Sequence, residues 1–219
     1  DSKIAKVVSG LMRHFEVNSD ADNAYDLAFS FADTIGWGYF RMRHDFCRED
    51  SFDQDIYIDQ IMNPFTVYFD KHSLLPDGSD QEECLITDLM KKKAFKRKHP
   101  GAQTDGFTTL SVGDMMSSWV TEDEIRVAEY FRIDRVKKKL VMLSDKTVLW
   151  ADQLPPSGQL EALNMKVINE RDSYRSRVMW YKQTAGEILE EKEIPGKYIP
   201  VIPVYGNRII LDGRMVKFG

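Results

Sequence analysis

The chain has little of what site chemistry usually requires. Among 219 residues there are two cysteines and four histidines. Cys47 and Cys84 lie far apart and have no ligand-like spacing, so they read as reduced thiols of a cytosolic protein in preference to a disulfide. His14, His44, His72 and His99 are scattered, and none pairs with a cysteine or a second histidine at metal spacing. His44 falls on the apolar side of a strand pattern, where a histidine satisfied within the core is the ordinary reading. There is no Gly-Xaa-Ser-Xaa-Gly elbow, no Walker loop and no Gly-Xaa-Gly-Xaa-Xaa-Gly. Gly36-Trp37-Gly38 is too short to cradle phosphate, and Ser111 to Ser118 offers serines without triad partners. No apolar run approaches the roughly 20 residues that span a bilayer. The longest, Tyr198 to Tyr205, is short and carries Pro200 and Pro203. Asp1-Ser2-Lys3 carries no signal-peptide pattern, so none is expected. The net charge of −5 lacks the basic surplus of a free-standing DNA binder.

What is present is an ordinary globular composition, 42% hydrophobic and 30% charged, in a length that suits one or two domains. Asp1-Ser2-Lys3 runs straight into an amphipathic pattern, and Arg214 to Gly219 reads as strand. Both ends are therefore expected to be cuts through a longer chain.

Ile4, Val7, Val8, Leu11, Met12 and Phe15 recur at steps of three and four, which predicts a helix. Asn18-Ser19-Asp20 supplies cap chemistry for a second helix. Its face is Ala24, Leu27, Ala28, Phe31, Ala32 and Ile35, and Gly36 ends it. Residues 1–36 are thus expected as a helical hairpin. Beyond Gly36 the period drops to two. Phe40, Met42 and His44 alternate with Arg41, Arg43 and Asp45. Ile56 and Ile58 form a second strand, broken at Asn63-Pro64, and Val67 to Phe69 a third. A helix is predicted from about Glu82 to Arg97 on Leu85, Ile86, Leu89, Met90 and Phe95, with acids opening it and lysines closing it. Pro100 to Ser118 reads as loop with one short helix.

From Trp119 the pattern is almost all strand. Ile125 to Ile133 alternates, and Leu140–Leu143 and Thr147–Trp150 flank a hairpin turn at Ser144-Asp145-Lys146. Lys137-Lys138-Lys139 reads as another hairpin tip, and Pro155 to Gly158 as a loop. Val167–Asn169, Arg177–Gln183 and Glu187–Glu191 are expected as separate strands. Tyr198–Tyr205 belongs at a sheet edge because of its prolines. Ile209–Leu211 and Met215–Val216 pair across Asp212-Gly213. The fold class is α+β: an N-terminal helical hairpin, then a mostly antiparallel sheet over residues 37–219 with an inserted helix, together one domain.

Two charged clusters stand out. Asp53, Asp55 and Asp59 lie at even spacing, so on one strand they share a face. Such carboxylates could hold a divalent metal in a nuclease, although the plain solvent face of a strand is the preferred reading. Asp77-Gly78-Ser79-Asp80 lacks the closing glutamate of a calcium loop and reads as a turn. The basic run Lys91, Lys92, Lys93, Lys96, Arg97 and Lys98 could meet DNA phosphates or an acidic partner, or be a solvated helix end. No catalytic residue, metal or cofactor is assigned.

Specific blocks go further. Ile4-Ala5-Lys6-Val7-Val8-Ser9-Gly10-Leu11, Asn18-Ser19-Asp20-Ala21-Asp22-Asn23-Ala24-Tyr25 and Ile35-Gly36-Trp37-Gly38-Tyr39-Phe40-Arg41 are similar to the portal proteins of short-tailed phages. So are Asp55 to Asp70, Trp119-Val120 through Glu129-Tyr130-Phe131, and Ile199 to Gly206. The resemblance implies a non-enzymatic component of a twelve-subunit ring at one capsid vertex, the conduit for genome packaging and ejection. It implies coat, scaffolding, terminase and tail adaptor proteins as partners, with double-stranded DNA passing through. The residues here resemble the N-terminal wing and hip region; channel-lining stem helices and the clip facing the terminase are expected in a longer chain. The location implied is the virion, and the host cytoplasm during assembly. A conduit should not grip phosphates, since each retained contact resists sliding, and a mildly acidic chain satisfies that. Head-to-tail ring contacts need two different patches per subunit, for which the acidic Asp45–Asp59 region and the basic Lys91–Lys98 run are candidates.

Overall fold

A computed structural model describes residues 2–102, 119–156, 165–212 and 214–219. Helices α1 (Ser2–Asn18) and α2 (Ala21–Ile35) come first, then strands β1 (Trp37–Phe46), β2 (Gln54–Gln60), β3 (Val67–Phe69) and β4 (Glu83–Lys91). A short helix α3 (Lys92–Lys98) precedes β5 (Glu124–Leu143), β6 (Val148–Trp150), β7 (Val167–Gln183) and β8 (Ile188–Ile194). The chain closes with β9 (Val201–Tyr205), β10 (Asn207–Leu211) and β11 (Arg214–Phe218). The α+β class expected from sequence stands.

The strands build three antiparallel sheets. One has the order β2-β1-β9, with proline-bearing β9 at its edge as expected; one has the order β3-β4-β5-β7-β8 with β6 also on β5; the last is the β10–β11 hairpin. The main core lies between the first two. Tyr39 and Val201 of the small sheet meet Cys84, Phe131, Val178 and Trp180 of the large one. The opposite face of the small sheet is covered by α2, where Ala21 and Ala24 bury Ile58 and Tyr25 meets Phe40 edge-on at 5.1 Å. Alanines let the helix approach closely. At Gly38 a Cβ would lie 2.1 Å from the Ala28 carbonyl oxygen, so only glycine fits there.

Several elements depart from the sequence reading. Gly36 ends α2 as expected, at φ 95°, its N–H donating to the Ala32 carbonyl. Asp20, however, takes the left-handed conformation and gives α2 no side-chain cap bond. The helix expected from Glu82 is a strand as far as Lys91. Its spacing fits a helix, but nine residues pair with β5, from Glu83 opposite Arg132 to Lys91 opposite Glu124. A continuous ladder outweighs local propensity. Only Lys92–Lys98 is helical.

Likewise β5 runs for 20 residues and β7 for 17 without the expected breaks. Lys137, Lys138 and Lys139 are mid-strand, not a tip, and face Tyr174, Ser173 and Asp172 in register. Burial returns at the far end, where β6 pairs onto β5 and Val141 and Leu143 are 1% and 2% exposed. The Ser144-Asp145-Lys146 turn forms as expected, with Lys146 at positive φ. Most of Pro100–Ser118, including Ser111–Ser118, together with Ser157, Gly158 and Gly213, lies outside the described residues.

Candidate functional site

Phe95 anchors the basic run. It is fully buried against Ile125 and Val127, and it holds α3 on the end of β4. With one face of a short helix sunk, the remaining residues must point outward. Lys91, Lys93, Lys96, Arg97 and Lys98 are exposed and Lys92 is half-buried. None of the six joins an ion pair among the described residues. The Lys92 N–H donates to the Asp123 carbonyl, so the backbone there is fixed while the charges stay free.

The carboxylates behave differently. Asp55 and Asp59 share a face of β2, but it is not a plain solvent face. Asp59 Oδ2 accepts from Arg43 Nε at 2.7 Å and lies 3.7 Å from Arg41 Nε. The hydrogen bond to Asp59 is the main cause that pushes the Arg43 pKa up, and Arg43 also pairs with Asp45. Asp55 Oδ2 lies 3.1 Å from His14 Nε2 and accepts from Asn18 Nδ2 at 3.3 Å, which ties the end of α1 to β2. Asp53 precedes the strand and accepts from Ser51 Oγ at 3.1 Å. Each carboxylate thus has its own partners, and the three do not converge. No group of three His, Cys, Asp or Glu among the described residues is placed to hold a metal. Nothing in the structure supports the nuclease reading.

The polar face of the small sheet reaches across to the large one. Arg41 Nη1 donates to Glu129 Oε1 at 3.0 Å, and Trp180 Nε1 donates to Glu129 Oε2 at 2.9 Å. Lys192 lies 4.6 Å above the Trp180 ring. These junction residues were not singled out in the sequence. The alternation of Arg41 and Arg43 was the available signal, but their partner Glu129 is 88 residues away. The β5–β7 arm carries a similar charge ladder. Lys137 pairs with Asp172 at 2.9 Å, Lys139 with Glu170 at 3.7 Å, and Lys138 with Asp152. The arm's lysines are therefore matched within the chain, unlike those of α3.

Residues 1–219 match, over their whole length, the family model described as Phage P22-like portal protein. This chain belongs to the P22-like portal protein family. It is also 29% identical, over 228 aligned positions, to the portal protein of Acyrthosiphon pisum secondary endosymbiont phage 1. That match covers 95% of this chain and 30% of the relative, so the chain spans about 30% of its relative's length.

Within this portal chain, the structure therefore separates the two charged clusters named from sequence. The acidic residues Asp55 and Asp59 serve internal junctions. The basic residues of α3 join no ion pair among the described residues. His44 is only half-buried, near Ile56 and Tyr198 at the rim of a cleft, rather than in the core. Cys47 is exposed and Cys84 buried, and the two are not joined. The portal chain also exposes the apolar stripe of its first helix. Ile4, Val7, Val8, Leu11 and Met12 of α1 are 48–64% exposed.

Proposed function

We propose that this chain is the wing region of a portal ring, a passive wall segment at the capsid vertex and not an enzyme. The observation that carries the reading is the family match over every residue of the chain. In the full-length protein the ring has twelve subunits and forms the conduit for genome packaging and ejection. Coat and scaffolding proteins meet its outside, terminase and then tail adaptor proteins dock on its axial face, and double-stranded DNA passes through. The assembled ring belongs to the virion, and its subunits assemble in the host cytoplasm. Residues 1–36 and 37–219 act as one unit. Internally matched charges and a closed core between sheets suit a part whose task is to hold position.

Ring contacts are head-to-tail, so each subunit offers two unlike patches. The basic patch is α3, with Lys91, Lys92, Lys93, Lys96, Arg97 and Lys98. Its complement is the acidic end of the small sheet in the neighbouring copy. Asp53 is the most available of its carboxylates, since Asp55 and Asp59 already hold cations or amides of their own subunit. The test is charge reversal, Lys92→Glu with Arg97→Glu, in the full-length protein, with rings counted by electron microscopy. Loss of closed rings in a folded protein is the expected result. A normal ring yield would remove α3 from the contact.

A further inference from the structure

The β10–β11 hairpin is held against the end of α2 and by Arg208 on the Leu74 carbonyl, and beside β1 and β3 it leaves a cleft of about 980 Å³. Its walls include Trp37 and Tyr39 of β1, Val67 and Phe69 of β3, and Met215 and Lys217 of β11. Clefts that bind ligands and peptides are of this order; the rest of this one's lining is polar, with Asp70, Lys71, His72, Ser73, Asp212 and Arg214.

We propose that this cleft binds a carboxylate carried, beside an apolar side chain, on an acidic segment of a partner polypeptide. The inference is independent of the ring contact proposed above.

Lys217 is the first reason. Its ammonium lies 4.5 Å from the centroid of the Tyr205 ring and 5.8 Å from that of Phe69. It forms no ion pair among the described residues, and burial pushes its pKa below the ordinary lysine value. A half-buried cation without a carboxylate is costly to keep. Cation–π contact offsets part of that cost, but it leaves the ammonium's donors without acceptors.

Tyr39 is the second and independent reason. It is 3% exposed and lines the same cleft, yet its hydroxyl has no hydrogen-bond partner among the described residues. Its oxygen is not sealed from solvent, so the O–H can donate to water or to a bound group. Burial raises the Tyr39 pKa, so the hydroxyl remains a donor. Two donors in one cleft thus have no protein acceptor among the described residues.

The cleft's own acceptors do not serve them. Asp70 already accepts the backbone N–H of His72 at 2.8 Å and that of Glu82 at 2.9 Å. Asp212 is exposed at the hairpin turn. Three cations, Lys71, Arg214 and Lys217, line the cleft against these two carboxylates, in a chain whose net charge is −5. The surplus is enough for one further carboxylate. It is too small for a nucleic-acid backbone, which needs several phosphates neutralised together and would meet Asp70 and Asp212. The aromatic and aliphatic walls would also be wasted on phosphate, whereas they suit a side chain adjacent to the carboxylate.

The probe is an array of random short peptides, with spots of single-stranded DNA oligonucleotide, incubated with the full-length protein. Bound peptides should be enriched in aspartate or glutamate next to an aliphatic or aromatic residue. Lys217→Met keeps the stem among the rings and removes only the charge. It should weaken binding of the selected peptides about tenfold or more, as loss of a charge-assisted hydrogen bond does. Tyr39→Phe keeps the ring stack on Phe69 and should weaken the same peptides more modestly. Thermal melting of both variants checks the fold, and Tyr39→Phe carries the test if Lys217→Met does not fold. Several outcomes overturn the proposal: no peptide bound, no acidic enrichment, or unchanged binding in the folded variants. Preference for the oligonucleotide spots overturns it in favour of nucleic acid. Displacement of the peptides by free hexanoate at equal carboxylate concentration overturns the polypeptide partner.

Discussion

Arg41 and Glu129, 88 residues apart, join the two main sheets through a 3.0 Å hydrogen bond from Nη1 to Oε1. The arginine also neighbours Asp59, and the glutamate also accepts from Trp180, so the pair is the middle of a chain of four groups. Its side chains are 25% and 30% exposed, which keeps the contact partly shielded from water.

Glu129→Ala should therefore cost more than an exposed ion pair. It leaves the Arg41 guanidinium and the Trp180 N–H without their acceptor, a loss of about 1–3 kcal/mol. A double-mutant cycle with Arg41→Ala, measured by urea unfolding, should give a coupling of about 0.5–3 kcal/mol. Strictly additive single effects would show that the contact contributes nothing of its own.

Two glycines should respond in opposite directions to alanine. Gly38→Ala places a Cβ 2.1 Å from the Ala28 carbonyl, so α2 or β1 must shift. The expected cost is at least the 1–3 kcal/mol, roughly, of an overpacked core. Gly10 in α1 has nothing within 4 Å of its added Cβ. Gly10→Ala should gain up to about 1 kcal/mol of helix propensity. Thermal melting of the two variants side by side checks both signs.

Thiol labelling should distinguish the cysteines. Cys47 is exposed, whereas Cys84 is 1% exposed and burial pushes its thiol up to about 12. A thiolate-directed reagent at neutral pH should modify one thiol in the folded protein and two in denaturant. Rapid reaction at both sites in the folded state would contradict the placement of Cys84.

Alkali should destabilise the fold through the same group. The Cys84 pKa is raised from 9.0 to about 12, so its neutral form is favoured by folding. That contribution is complete below pH 9 and is lost as pH rises towards 12, by at most on the order of 4 kcal/mol. Tyr205, raised by burial from 10.0 to about 12, adds to the loss only above pH 10. The urea midpoint should fall between pH 9 and 10 in the native sequence, and Cys84→Ala should flatten that interval. A native midpoint constant from pH 8 to 10 would refute the assignment.

Much of the fold was legible because its periods are short-range. The α1 and α2 faces, the Gly36 terminus, the β1 alternation, the Ser144-Asp145-Lys146 turn and the β10–β11 hairpin all rest on neighbours within a few residues. The helix expected at Glu82 was misread because Leu85, Ile86, Leu89 and Met90 fit a helical face as well as a strand. Only β5, forty residues on, settles the matter by pairing with it. Lys137–Lys139 read as a tip because three consecutive charges suit a turn, and their partners Asp172, Asp152 and Glu170 lie 14 to 35 positions downstream.

The candidate site divides the same way. The positions of Asp53, Asp55, Asp59 and the α3 cations could be named from sequence, and so could the family resemblance carried by whole blocks of residues. Composition and spacing by themselves determined the α+β class, the two charged clusters and the missing catalytic motifs. The tertiary structure decided which charges are used. Arg41 and Arg43 come to Asp59 across strand pairing, and His14 comes to Asp55 from α1, while the α3 cations meet no carboxylate among the described residues. It also placed Lys217 and Tyr39 on the walls of one cleft, with no hydrogen-bonded or ion-paired acceptor among the described residues. Charge matching acts over a few ångströms of space, and only the folded chain brings residues that far apart in sequence within that range.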